Sequence, residues 1–471
     1  MGFGRDHGRV RSDSDGSLVV ALTSARRRLG SGSPRRTVAV AAVVGVFAFL
    51  FVGGAVGGPR GQVRYVDGST ARCSDGPGSG PRSRPFCTIG AAARTLPAGG
   101  TVRVASGVYR ERVVVPFSGT EAIPLVFAAA PRASVVITDQ QNGFSIQGRS
   151  WIRVQGFTIT HTRAYGIDVT ESSHVALVNN RVRYAGEPLR GAVKYGVRLA
   201  TVTDSLVAGN TLDHDTNAGI ALVAGSRRNN VWGNRSFANA KRFERAAAGI
   251  RLYDAHANTI HRNISYDNED SGIELVKSTD NLVYNNISYE NGDHGIDNTG
   301  ASTGTRILAN SIYGNITAGI NVEGGSTGVT VANNISVDNG IGSPRTHSEI
   351  RVDATSVSGA SLDFDVVSLT APDTVLIWNS VGYRSLAAFQ LATGRELHGV
   401  DADPHWSNPA AGDFHLTARS AAIDSANSLV RGQPATDLKR DRRVDDPSTP
   451  NTGIGRRPYD DRGAYEYDPT R

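Results

Sequence analysis

A glycine followed by Ile or Val returns at Gly166, Gly196, Gly219, Gly249, Gly272, Gly295 and Gly319, in steps of 30, 23, 30, 23, 23 and 24 residues. An Asn follows each of them by 14 or 15 residues, at Asn180, Asn210, Asn234, Asn263, Asn286, Asn310 and Asn334. Three residues before each Asn stands an apolar residue: Leu177, Val207, Val231, Ile260, Val283, Ile307 and Val331. Five residues after most of them comes a second Asn, at Asn239, Asn268, Asn291, Asn315 and Asn339. A fixed period of this length marks stacked structural repeats, because one unit is too short to bury its own apolar face.

Within a repeat the apolar residues alternate, as in Ile250-Arg251-Leu252 and Ile273-Glu274-Leu275. A period of two is strand, and a helical repeat would need 3.6. The Leu-x-x-Leu-x-Leu frame of leucine-rich repeats is missing. Short strands joined at Asn-bearing corners predict a parallel β-solenoid of about ten to twelve coils, with equivalent residues about 4.8 Å apart from coil to coil. Stacked Asn amides then bond along the axis and satisfy the backbone of the turns. Several of these Asn sit in Asn-x-Ser/Thr sequons, and the ladder accounts for them without glycosylation.

From residue 100 to about 370 the repeats resemble the right-handed parallel β-helix of pectin-lyase-like proteins. The opening Tyr65-Val66-Asp67-Gly68, the cysteine pair, Ile89-Gly90-Ala91-Ala92-Ala93 and Gly107-Val108-Tyr109-Arg110-Glu111 resemble the N-terminal entry of secreted members. That resemblance implies a short helix over the open end of the core, which Thr88 caps and Pro97 ends. The tail, with Gly412-Asp413-Phe414-His415-Leu416, Ala422-Ile423-Asp424 and Asp461-Arg462-Gly463-Ala464-Tyr465-Glu466, resembles the choice-of-anchor type of C-terminal segment. The expected fold is all-β, a right-handed parallel β-helix with an N-terminal capping helix and an N-terminal transmembrane or signal helix. The expected segments are a basic head (1–36), a transmembrane or signal segment (37–58), a cap with the Cys pair (59–100), the β-helix (101–400) and a tail (401–471).

The formal net charge of +6 is misleading. Eight Arg against three Asp make the first 36 residues +5, so the rest of the chain is close to neutral and gives no warrant for a nucleic-acid partner. The 22 uncharged residues Thr37 to Gly58 follow this head. About 20 apolar residues span a bilayer as a helix, and a basic flank stays cytoplasmic. The segment reads either as a membrane anchor or as a cleaved signal, with small residues at Ala55-Val56-Gly57 for cleavage. Both place the body outside the cytoplasm, where Cys73 and Cys87 are expected to form a disulfide. A monomer is expected.

Chemistry must come from exposed columns, since fold alone does not give function. The outward residue after each repeat glycine forms one such column: Asp168, Arg198, Ala221, Arg251, Glu274, Asp297 and Asn321. The two long steps hold insertions, about 187–195 and 240–247, which bring Lys194, Tyr195, Lys241, Phe243 and Arg245 to the same edge. With Arg198 these are the candidate substrate-binding residues for an acidic polysaccharide or cell-surface glycan. Asp270, Asp293 and Asp297 form an acidic group of the kind that suits calcium. Lys277, Arg251, His294 and Glu274 are the candidate catalytic residues. Asp293-His294-Gly295-Ile296-Asp297 resembles the Asp-Asp-Gly-Trp-Asp calcium loop of family nine polysaccharide lyases. The resemblance implies Asp293 and Asp297 as calcium ligands and β-elimination from a uronic acid. His294 and Ile296 depart from it, and the only lysine after Lys277 is Lys439, in the tail. Two other readings stay open: a glycoside hydrolase using Glu274 and Asp297, or a non-catalytic glycan-binding or structural solenoid. Asn298 breaks an inward column otherwise made of Val169, Leu199, Leu222, Leu252, Leu275 and Val322.

Overall fold

The computed structural model describes residues 61–97, 99–186, 194–240 and 247–470. The expected transmembrane or signal segment lies outside them, as do Lys241, Phe243 and Arg245. Three twelve-stranded sheets wind round one core. One coil visits them in turn: Ile250–Tyr253 in what we call the site sheet, Thr259–His261 in the second sheet and Ile264–Tyr266 in the third. Pairing from coil to coil is parallel, with Ile167, Val197, Ile220, Ile250, Ile273, Ile296, Ile320 and Ile350 in one register. All of these are buried, as the alternation requires.

The repeat glycine has a steric cause. A Cβ at Gly249 or Gly272 would collide with the Oγ of Ser265 or Ser288, whose hydroxyls donate to Gly272 O and Gly295 O at 2.7 Å. The coil corners carry residues in the left-handed region, such as Lys277, Asn285 and Glu290 at φ 50–51°.

The Asn columns are buried ladders with a direction. In the first, each Nδ2 donates to the next Oδ1 at 2.9–3.1 Å from Asn180 to Asn334, and Asn334 donates to Asp365 at 2.8 Å. In the second, Asn239, Asn268, Asn291, Asn315 and Asn339 run the same way, and Asn339 donates to Glu349 at 2.6 Å. Each amide also closes backbone groups: Asn286 donates to Ile260 O at 2.9 Å and accepts from Asn263 N at 3.0 Å. A further ladder, Asn229 to Asn258 to Asn281, serves another corner.

Near the N-terminus Cys73 and Cys87 are bonded, with Cα atoms 4.9 Å apart. The helix α1 (Ile89–Ala93) packs on the strands Val63–Val66 and Gly100–Val104. Thr88 accepts from Ala91 N, and Glu111 takes the free donors of Ile89 and Gly90 at 2.6 and 3.0 Å. The helix stops at Ala93, before Pro97 is reached.

The third sheet ends at Val400–Asp401. The tail then returns along it, burying Trp406, Phe414, Leu416, Ile423 and Tyr465 against Ile287, Tyr289 and Ile335. Its sequence motifs build its own interior. Asp461 accepts from Asp424 N at 2.8 Å, and Arg443 pairs with Glu466 at 2.7 Å with both side chains buried.

Candidate functional site on the site sheet

The outward column of the site sheet is a row of charges one coil apart. The pairing sets Arg251 beside Glu274, Glu274 beside Asp297, Asp297 beside Asn321 and Asn321 beside Arg351. Arg251 Nε lies 3.0 Å from Glu274 Oε2. Asn321 Nδ2 donates to Asp297 Oδ1 at 2.8 Å, and Arg351 reaches both Asn321 and Glu323 at 2.7 Å.

The expectation that these residues stand in open solvent is corrected. Asp297 is 8% exposed, His294 5%, and the Glu274 side chain 12%. Adjacent rungs and bulky neighbours shield them. Burial pushes Glu274 up to about 7, against the pull of Arg251. Burial, followed by the charge of Glu274, pushes Asp297 well above the usual carboxyl range. Two carboxyls one rung apart cannot both ionise at little cost. Arg251 makes Glu274 the first to lose its proton.

One step along the coil, Thr317 Oγ1 lies 2.7 Å from His294 Nδ1 and 2.6 Å from Asp293 Oδ1. Burial lowers the pKa of His294, so its neutral ring can donate to Thr317, which donates to Asp293. Arg345 joins Asp293 at 3.2 Å. Thr317, Arg345, Arg351 and Glu323 escaped the sequence reading. Arg351 continues the outward column, but there Glu349 replaces the repeat glycine and hides the register.

The candidate substrate residues divide. Tyr195 is buried against Ala218 and Ala221 and stacks on Tyr165 at 6.1 Å. Burial raises the pKa of its hydroxyl, against the charge of Arg251. Arg198 is held by Asp168 at 2.8 and 3.2 Å, and Lys194 lies over the Tyr165 ring. Lys277 stands at the strand end, with its amine 3.4 Å from Tyr253 Oη. Asp270, Asp293 and Asp297 do not meet at one point: among the described residues no three of His, Cys, Asp and Glu stand where they could hold a metal ion. Asn298 is fully buried, and neither its Oδ1 nor its Nδ2 has a hydrogen-bond partner.

A family model described as "Periplasmic copper-binding protein (NosD)" matches residues 128–315 and 235–343. The uncharacterized protein YwoF of Bacillus subtilis is 26% identical, over 73% of this chain and 89% of its own. Among solved structures, pectate lyase Pel9A superposes with a TM-score of 0.54 at 16% identity, over 87% of this chain and 98% of its own. The periplasmic alginate epimerase AlgG gives a TM-score of 0.40 at 14% identity, over 57% and 73%. Parallel sheets, coil register and the pectate lyase superposition agree: the chain is a parallel β-helix with the architecture of a pectate lyase.

Proposed function

We propose that this is an extracytoplasmic protein that cleaves a polysaccharide laid across the site sheet, with Glu274 as nucleophile and Asp297 as acid and base. The observation that carries this reading is the pairing of Glu274 and Asp297 on adjacent rungs, with Arg251 on the rung before. The export segment in the sequence and the periplasmic family match support the location. The likeness to a lyase supports a glycan.

Retaining glycoside hydrolysis needs two carboxyls about 5 Å apart, and rungs are spaced by about that distance. Glu274 ionises first and serves as the nucleophile. Asp297 keeps its proton and serves as the acid. The Glu274 carboxylate attacks the anomeric carbon and forms a glycosyl ester, while Asp297 passes its proton to the departing glycosidic oxygen. Asp297 then takes a proton from the water that attacks the ester, and Glu274 is released. β-Elimination would instead need Lys277, Arg251 or His294 as base, and His294 is engaged by Thr317. Arg251 is engaged by Glu274 and Lys277 by Tyr253, which favours hydrolysis.

No step runs through a metal. Among the described residues Asp270, Asp293 and Asp297 do not converge as a metal-ligand set, so each step is assigned to side chains.

The test is reducing-end release from a glycan panel by the wild type and by Glu274→Ala. Loss of activity by a factor of about 100 or more, with rescue by azide as a glycosyl azide, is expected. An unsaturated product would show elimination instead, and binding without cleavage would leave a glycan-binding solenoid.

A further inference from the structure

We infer that the sugar seated over Glu274 and Asp297 is uncharged, so that this face selects neutral glycans over polyuronates. The inference rests on the functional reading above and narrows it to a substrate class.

An enzyme for uronic acids needs a cation free to meet each sugar carboxylate. Among the described residues of this face, the guanidiniums are already taken. Arg198 is held by Asp168, Arg251 by Glu274, Arg345 by Asp293 and Arg351 by Glu323. These partners are fixed one rung away on the sheet or beside it, and most are largely buried. A sugar carboxylate would meet guanidiniums whose charge a protein carboxylate already balances. It would also bring a negative charge up to Asp270, Glu274, Asp293, Asp297 and Glu323, where burial and, after it, neighbouring carboxyls raise Glu274 and Asp297. Lys277 stays off this column, against Tyr253 at the strand end, and Lys194 lies over the ring of Tyr165, whose strand is four rungs before Glu274.

The remaining groups suit hydroxyls. Asn321 bridges Asp297 and Arg351, and Thr317 bridges His294 and Asp293. Carboxylates accept from sugar hydroxyls, and a guanidinium held by one carboxylate keeps N–H groups for sugar oxygens.

Glu323 is then a specificity-determining residue, because its charge occupies Arg351. The experiment measures binding of the full-length chain by affinity electrophoresis in gels containing xylan, a mixed-linkage glucan, mannan, polygalacturonate or alginate. The wild type is expected to bind at least one neutral polymer at least tenfold more tightly than either polyuronate. Glu323→Gln, which frees Arg351, should raise polyuronate binding several-fold, and Lys277→Ala should leave the preference unchanged. Tighter binding of a polyuronate by the wild type, or no gain in Glu323→Gln of unchanged melting temperature, overturns the inference while leaving cleavage by the carboxyl pair standing. Binding of none of the five polymers overturns both.

Discussion

Replacing Asn298 with Leu should stabilise the protein, although the residue adjoins the proposed acid. Its amide is fully buried, and neither polar atom has a partner. A desolvated polar group left in this state costs about 1–3 kcal/mol. The rungs on either side hold Leu275 and Val322 in the same inward column. Leu has the same branched four-atom skeleton as Asn but bulkier ends, so it adds apolar contact against a cost of about 1 kcal/mol if the rung must shift to take it. The net expectation is about 2 kcal/mol of added stability. Urea unfolding followed by circular dichroism measures it as a higher midpoint at unchanged slope. An unchanged or lower midpoint would refute the reasoning, because it would mean that the amide is satisfied by a buried water whose bonds Leu removes. A loss of cleavage alongside the gain would show that Asn298 is kept to shape the strand carrying Asp297.

The pH dependence of stability should have an unusual sign. Burial raises Glu349 to about 8 and Glu274 to about 7 from a usual 4.5, so between those values the folded chain holds protons that the unfolded chain has released. Stability is therefore highest below the usual carboxyl range and falls as pH rises through about 8. Thermal unfolding across this range checks it, and a midpoint that climbs with pH contradicts it. Gly272→Ala should cost about 2 kcal/mol, because its Cβ meets Ser288 Oγ and Gly295 O. Adding Ser288→Ala removes the first collision, so the double variant should lose less than the sum of the two single losses.

The coils were legible because glycine, apolar and Asn columns recur at a period that only stacking explains. The reading faltered where a coil changed one of those letters. Glu349 stands in the glycine column, so nothing in the repeat marks Arg351 as an outward residue or as the partner of Glu323. The outward column was identified residue by residue, but its burial was not. Periodicity says which way a side chain points, not what its neighbours on the next rung cover. The pairing of Arg345 with Asp293 spans 52 residues of sequence and carries no local signal.

The Asn ladders also have a terminus. In the two long ladders every amide passes its hydrogen to the next coil, so each coil needs an acceptor ahead of it. At Asp365 and Glu349 the column meets a carboxyl, which takes the last hydrogen and hands none on to a further amide. A duplicated unit spliced between Asn239 and Asn334 would extend the solenoid with every amide still matched. The same unit placed after Asp365 would find no donor waiting for it. Copy number can therefore drift in the middle of this chain, while its end is fixed by two acids.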